Sequence, residues 1–289
     1  MLWLVFAIGC AILGGIAAIF QKRILKVEHA MEFMTVFAII NFAFSIVLLP
    51  FIDLTFDLWV WIIIYIAAWF GAIAALMVTK SLRHAPISKI SPMMNVEPVV
   101  IVILAYFLLT EHLSFQNYVG VGLIVLASNF LGGKKFYWHP FKHIKHFTHS
   151  KYSVLCVVGM VFYAISSILD KFVMNQGVSP STYVFLLHLF LAIDFLILLA
   201  LFHDGFHGIH HGIQKAGKWI ILVSLITVGY RVLQMEALSM AYVSLVIPIK
   251  RMSTLFATIF GGTIYKEKDI MTKSLACIVM ILGAVFVIS

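Results

Sequence analysis

The segments LRHAPISKISP at residues 82–92 and LSMAYVSLVIP at residues 238–248 decide how this chain is organised. Identical residues recur between the two halves at one constant offset, in the pairs Leu82/Leu238, Ala85/Ala241, Ser88/Ser244, Pro92/Pro248 and Glu111/Glu267. Self-similarity at a fixed spacing indicates a repeated structural unit. We therefore predict that the chain consists of two related halves.

The composition around these segments is that of a membrane protein. Of the 289 residues, 63% are hydrophobic and 11% are charged, whereas soluble domains are about 45–50% apolar and about 25% charged. A bilayer core of roughly 30 Å needs about 20 apolar residues per helix. The chain therefore has room for around ten spans with short connections, and for no sizeable soluble domain.

Ten apolar runs follow one another along the chain. They cover residues 2–20, 33–49, 58–78, 87–109, 118–131, 154–174, 183–202, 219–240, 242–265 and 274–288. Since lipid offers no hydrogen bonds, each run is predicted to be helical, and the prolines inside runs (Pro92, Pro98 and Pro248) are predicted to interrupt the helix.

These runs predict an all-α membrane protein with ten transmembrane helices. Residues 1–133 form the first five-helix repeat, residues 134–151 form a basic, His-rich connecting loop, and residues 152–289 form the second repeat. Because five is an odd number, the two repeats are expected to enter the membrane in opposite directions. Such inverted repeats are typical of transporters.

The net charge of +8 comes from basic residues that lie mostly between the apolar runs. There they set topology or meet anionic headgroups, so we expect lipid and small molecules as partners, and no nucleic acid. Most Lys and Arg residues fall in the odd-numbered connections, which places these connections in the cytoplasm and both termini outside. We expect a multi-pass protein of the plasma (inner) membrane without a cofactor; a homodimer is left open.

The pattern from Leu82 through Glu111 to Gly120, repeated from Leu238 to Gly283, resembles the EamA repeat of the drug/metabolite transporter superfamily. The resemblance covers nearly the whole chain. It implies a ten-helix basket around a central cavity, which helices three, four, eight and nine usually line. It also implies transport of amino acids, nucleotides, sugars or other metabolites, without selecting among them.

Two short stretches resemble one branch of that superfamily. Lys250-Arg251 in the predicted ninth helix is similar to the Lys-Arg pair with which plastid phosphate translocators hold phosphate, and Glu97-Pro98 is similar to their Glu-Pro in helix four. Met94 stands where those proteins carry a phosphate-binding lysine just before that glutamate. This departure argues against a true phosphate translocator.

Ionisable groups inside the predicted spans are the main candidates for substrate binding, because each costs about 2.5 to 3.5 kcal/mol on insertion scales. The candidates are Glu97 in helix four, Tyr230, Arg231 and Glu236 in helix eight, and Lys250 and Arg251 in helix nine. Arg binds carboxylate or phosphate through a two-donor fork, Lys adds a point charge, and Tyr230 offers an aromatic face. The alternative is that the charges form structural ion pairs or snorkel to the interface.

Five further polar residues lie within or at the ends of predicted spans. Asp170 beside Lys171, and Asp194 with His188 in helix seven, either form a proton relay or hydrogen-bond a neighbour. Lys22 and Lys171 stand at equivalent ends of helices one and six, in a looser part of the repeat. We interpret both lysines as anchors in the headgroup region.

These observations predict a secondary transporter, without enzymatic activity, that moves a small metabolite by alternating access. The leading substrate is an anion that carries phosphate or carboxylate. The alternatives are export of amino acids or other neutral or zwitterionic metabolites, and transport of divalent metals. No motif for catalysis, such as GxSxG, HExxH or a P-loop, occurs in the sequence, and no metal site is predicted in the spans.

The metal alternative rests on two histidine-rich loops. Their histidines are His139, His143, His146 and His149 in the first loop and His203, His207, His210 and His211 in the second. A neutral imidazole is a good ligand for transition metals. The first loop is also typical of a basic amphipathic helix that lies on anionic lipid.

Overall fold

The computed structural model describes residues 2–25, 28–85, 90, 93–132, 151–202, 207–253, 255–256 and 270–288. In these ranges the chain forms ten α-helices and one 3-10 helix, and no strand. The helices are α1 (Leu2–Ile24), α2 (Ala30–Ser45), α3 (Leu58–His84), α4 (Val96–Leu108), α5 (Phe115–Gly132), α6 (Lys151–Asn175), α7 (Pro180–Phe202), α8 (His207–Met240), α9 (Val243–Arg251) and α10 (Ile270–Ile288). The 3-10 helix, Ile46–Phe51, continues α2. The predicted all-α class is confirmed for these ranges.

Six segments are long and apolar enough to cross a membrane. They are Leu2–Ile24, Ala30–Phe51, Leu58–His84, Lys151–Asn175, Pro180–Leu201 and Gly217–Met240. The segments Val96–Leu108, Phe115–Ala127 and Ile278–Val287 are apolar but shorter. The predicted number of ten spans is therefore supported for six helices, and it stays a prediction for the others.

Large apolar side chains cover the outside of the bundle. Val5, Ile62, Phe107, Leu225 and Val285 are each more than half exposed, on five different helices. An outer surface of this kind costs free energy in water but none in hydrocarbon. The helices therefore present to lipid the faces that they do not bury against one another.

The two halves pack mainly on each other rather than each on itself. α3 of the first half packs along α6 of the second, and correspondingly α8 packs along α1. Three helices each contact their own counterpart, in the pairs α2 with α7, α4 with α9, and α5 with α10. This reciprocal pattern is what a two-fold relation between two five-helix repeats produces.

Two glycines fix the crossing of α5 and α10. A Cβ atom added to Gly120 would lie 2.6 Å from the carbonyl oxygen of Gly283, and one added to Gly283 would lie 2.9 Å from the carbonyl oxygen of Gly120. The Asn117 side chain adds a hydrogen bond to the Val287 carbonyl at 3.1 Å. Small residues at a helix crossing allow such close backbone approach in membranes.

The prolines behave differently from one another. Pro98 lies in the first turn of α4, where a missing backbone N–H removes no helical hydrogen bond. Asn95 forms a turn between the helical residues 93–94 and the start of α4 at Val96, so the helix is interrupted three residues before Pro98, as predicted. α9 continues from Val243 to Arg251 through Pro248, so the interruption predicted at Pro248 is not seen, and Pro92 lies outside the described residues.

Candidate substrate-binding site

Helix α9 carries two of the predicted site residues, and a carboxylate of the other half fixes where it begins. The buried Glu111 side chain accepts hydrogen bonds from the backbone N–H groups of Val243, at 2.9 Å, and Ser244, at 3.1 Å. The Ser244 hydroxyl also donates to Glu111. An anion at a helix N-terminus pairs with unsatisfied N–H groups and with the positive end of the helix dipole. Its counterpart in the repeat, Glu267, lies outside the described residues.

A lysine holds the preceding helix end. Lys171 donates from Nζ to the carbonyl oxygen of Leu238 in the last turn of α8, at 2.7 Å, and it is only 7% exposed. A cation at a helix C-terminus satisfies free carbonyl groups and the negative end of the dipole. The interpretation of Lys171 as a headgroup anchor is therefore wrong, whereas its counterpart Lys22 is exposed.

Arg251 and Glu97 form an ion pair between α9 and α4, across the two halves. Glu97 is almost completely buried, and Arg251 also points a guanidinium nitrogen at the Met160 sulfur at 3.4 Å. For Glu97 and Arg251, the sequence left open either substrate binding or a structural ion pair, and the structure shows the ion pair. It ties the end of α9 to the first turn of α4.

Arg231 on α8 pairs with Asp170 on α6. Its Nη1 lies 3.6 Å from Asp170 Oδ2 and donates to Gln234 Oε1 at 3.1 Å. The Tyr183 hydroxyl donates to the other Asp170 oxygen, and Asp170 itself is 1% exposed. The sequence predicts Asp170 for a proton relay beside Lys171, and it does not predict the pairing of Asp170 with Arg231.

Lys250 points to a different neighbour from Arg251. Adjacent helical residues are about 100° apart around the axis, so Lys250 interacts electrostatically with Arg231, Asp170 and Cys10 instead of with Glu97. Among the described residues its amine has no hydrogen-bond or ion-pair partner. Lys250 and Arg231 thus bring two positive charges together beside one carboxylate.

The other predicted site residues occupy different surroundings. Tyr230 is partly buried and interacts with Arg231 and Cys10, so it belongs to the same cluster. Glu236 lies about 140° around α8 from Arg231, and its carboxylate makes no ion pair with a described residue. The structure therefore groups Tyr230, Arg231 and Lys250, pairs Glu97 with Arg251, and leaves Glu236 outside both groups.

Helix α7 adds a buried histidine to the cluster. His188 is 2% exposed, and it interacts with Arg231 and with the backbone of Val184. Asp194, on the same helix, is fully buried, and neither of its oxygens has a hydrogen-bond partner among the described residues. The relay expected between Asp194 and His188 is therefore not formed, and neither is a bond from Asp194 to a neighbouring helix.

The histidine-rich loops fall largely outside the described part of the chain. Residues 133–150 and 203–206 are not described, and for His207, His210 and His211 only the helical backbone is described. Within the described residues, no group of three or more His, Cys, Asp or Glu side chains is arranged to hold a metal ion.

Apolar helices long enough to cross a bilayer surround these buried charges, which is the construction of an integral, multi-pass membrane protein. The chain belongs to the EamA-like transporter family, whose profile matches residues 1–132 and 150–289. The resemblance seen in the sequence is thus confirmed, and it makes the protein a membrane transporter of small molecules. No curated protein matches the chain significantly.

The fold recurs in solved structures, and one of them is a crystal structure that covers nearly the whole chain. The two proteins are 15% identical and superpose with a TM-score of 0.74, and the match covers 98% of this chain and 95% of the other. At this level of identity the likeness concerns the fold alone.

Proposed function

We propose that the protein is a secondary transporter for a small metabolite with a phosphate or carboxylate group, which it binds between Lys250 and Arg231. One observation carries this proposal. The amine of Lys250 interacts electrostatically with the guanidinium of Arg231, and no described side chain forms an ion pair with Lys250.

The charge balance of the cluster favours an anion. Lys250 and Arg231 contribute two positive charges, while Asp170 contributes one negative charge to the group. Like charges repel strongly where the local dielectric is low, and an isolated buried cation is costly. An anionic group placed between the two cations would relieve both effects, and Arg would add directional hydrogen bonds.

The packing of the halves supports alternating access. The cluster draws on α6 and α7 (Asp170, Tyr183 and His188), α8 and α9, while α9 is tied to α4 by the Arg251–Glu97 pair. In transporters with inverted repeats, one unit rocks against the other around a central site. We place the protein in the plasma (inner) membrane, and enzymatic activity is no part of this proposal.

A zwitterionic metabolite such as an amino acid is the second candidate. The observation in its favour is Asp170, a buried carboxylate that interacts with both Arg231 and Lys250. An ammonium group could bind to Asp170 while the substrate carboxylate binds to Lys250. The divalent metal alternative draws no support from the described residues.

The test is a thermal stability screen of the purified protein in detergent. The compounds are sugar phosphates, nucleotides, dicarboxylates, amino acids and divalent metals, and the variants are Lys250→Gln and, as a matched control on the exposed side of α8, Lys218→Gln. A ligand that binds the folded state raises the unfolding temperature by mass action. We expect an anion to stabilise the wild type and Lys218→Gln but not Lys250→Gln. Stabilisation by metals alone, or equal stabilisation of all three proteins, would refute the anion site.

A further inference from the structure

Asp194 lies near the middle of α7 and plays no part in the cluster around Arg231. Its side chain is 0% exposed, and both carboxyl oxygens are buried without a hydrogen-bond partner in the described chain. Buried polar groups in folded proteins are hydrogen-bonded in the great majority of cases. A carboxyl group that is buried inside a membrane span without a hydrogen-bond partner therefore needs a physical explanation.

Apolar side chains pack against α7 at the level of Asp194. α7 packs against α2, α3, α8 and the 3-10 helix Ile46–Phe51. At the level of Asp194, the next residue, Phe195, shares an apolar cluster with Phe37 of α2, Ala72 of α3 and Val223 of α8. The Thr35 hydroxyl of α2 lies at the Phe195 carbonyl, at 3.5 Å.

No charged side chain of the described residues compensates the Asp194 carboxyl. The titratable side chains on the packed helices closest to this level are Glu32 on α2, Tyr65 and Lys80 on α3 and Lys218 on α8, and the 3-10 helix has none. None of them interacts electrostatically with Asp194. On α7 itself the nearest is His188, which interacts with Arg231 instead.

An ionised carboxylate in such a place is far more costly than a neutral acid, because burial removes its hydration and supplies no partner. We propose that Asp194 is a proton-binding site of this transporter, protonated in this conformation and able to release the proton to water when α7 separates from its neighbours. On release the O–H bond breaks, water takes the proton, and a carboxylate remains. Coupling of this proton release to transport rests on the proposed function, whereas the protonated state of the Asp194 carboxyl does not.

Two buried hydroxyl groups lie on α8 on the same face as Arg231. Ser224 and Thr227 are buried on α8, which packs against α7. With Arg231 they follow the spacing of three and four residues that places side chains on one helix face. Ser224 adjoins Val223, which shares the apolar cluster with Phe195, so polar groups on α8 follow from this level towards the proposed substrate site, and none of them is hydrogen-bonded to Asp194 in the described chain.

Infrared difference spectroscopy on the full-length protein in liposomes tests the proposal. The carbonyl stretch of a protonated carboxyl is distinct from the bands of a carboxylate, so wild type minus Asp194→Asn isolates this one group. We expect a protonated-carboxyl band at neutral pH that Asp194→Asn loses. The exposed Asp53→Asn should leave the band unchanged, because hydrogen bonds from Thr55 hold the pKa of Asp53 below its usual value. A difference spectrum that shows loss of carboxylate bands overturns the proposal.

A chemical probe makes the result independent of how well Asp194→Asn folds. Dicyclohexylcarbodiimide is apolar and adds a protonated carboxyl across one of its C=N bonds, so the product retains every atom of both reactants. In the wild type we expect this label on Asp194, and the label decreases as the pH rises because only the protonated carboxyl reacts. Labelling that does not change with pH, or none at Asp194 when the infrared band is also absent, contradicts the proposal. Neither measurement needs a substrate, so failure of the anion screen would reject the proposed function and leave the proton site standing.

Discussion

The Glu111 carboxylate of the first half receives the Ser244 hydroxyl and two backbone N–H groups at the start of α9 in the second half. The same turn of chain is held on its other side by Lys171, which donates to Leu238. Each charge has the sign that the adjoining helix end prefers. The helix that carries Lys250 and Arg251 is therefore anchored at a point where both halves of the molecule contribute.

Ser244→Ala should destabilise the protein by about 1.5–3 kcal/mol, because it removes a hydrogen bond to a buried charged group. Glu111→Ala should cost more, since it also leaves two buried backbone N–H groups unsatisfied. Equilibrium unfolding in mixed detergent micelles measures both changes. Ser239→Ala, which alters an exposed serine on the neighbouring turn, is the matched control and should stay near wild type. Equal effects of Ser244→Ala and Ser239→Ala would contradict this role of Glu111.

Removing Arg251 should cost about 3–5 kcal/mol, because Glu97 remains buried without its ion-pair partner. The double variant Glu97→Gln/Arg251→Gln should recover a large part of that loss. A double-mutant cycle from unfolding measurements gives the coupling energy. Additive effects of the two single changes would show that the side chains do not interact in the membrane.

Gly120→Ala should destabilise the crossing of α5 and α10, since the new methyl group meets backbone atoms of Gly283 and Val287 at 2.6 Å. Overpacking of a well-packed contact costs about 1–3 kcal/mol. Gly122→Ala is the control two residues further along, where an added Cβ meets nothing within 4 Å. The unfolding temperature in detergent should fall for Gly120→Ala and hold or rise for Gly122→Ala. The opposite order would mean that the crossing is looser than described.

Lys171→Met should weaken the end of α8, because the Leu238 carbonyl loses its donor while the aliphatic stem is kept. A charge at a partly buried helix end is worth up to about 2 kcal/mol. Lys22→Met, at the equivalent but exposed position in the first half, should have little effect on stability. If the two substitutions proved equally harmful or equally silent, Lys171 would be acting as an ordinary interfacial lysine.

The sequence predicts the helices well and their partners poorly. The apolar runs and the Ser88/Ser244 and Glu111/Glu267 repeats are local signals, so the all-α class and the duplication follow from them. The pairing of Asp170 with Arg231 joins α6 to α8, and it depends on the rotation of each helix about its own axis. In lipid an all-round apolar helix gives little information on that rotation, which is why Lys171 looked like an interfacial residue and the pairing of Asp170 with Arg231 was not predicted.

The interlocking of the halves also determines when the protein can reach its native state during synthesis. α1 packs along α8, and α3 packs along α6. When the first five helices leave the ribosome, their principal contact surfaces, including the buried Glu97 and Glu111, therefore have no native partner yet. The nascent first half has to persist in the bilayer until the remaining helices are inserted, and the native packing of the whole bundle is completed only after the last third of the chain has been made.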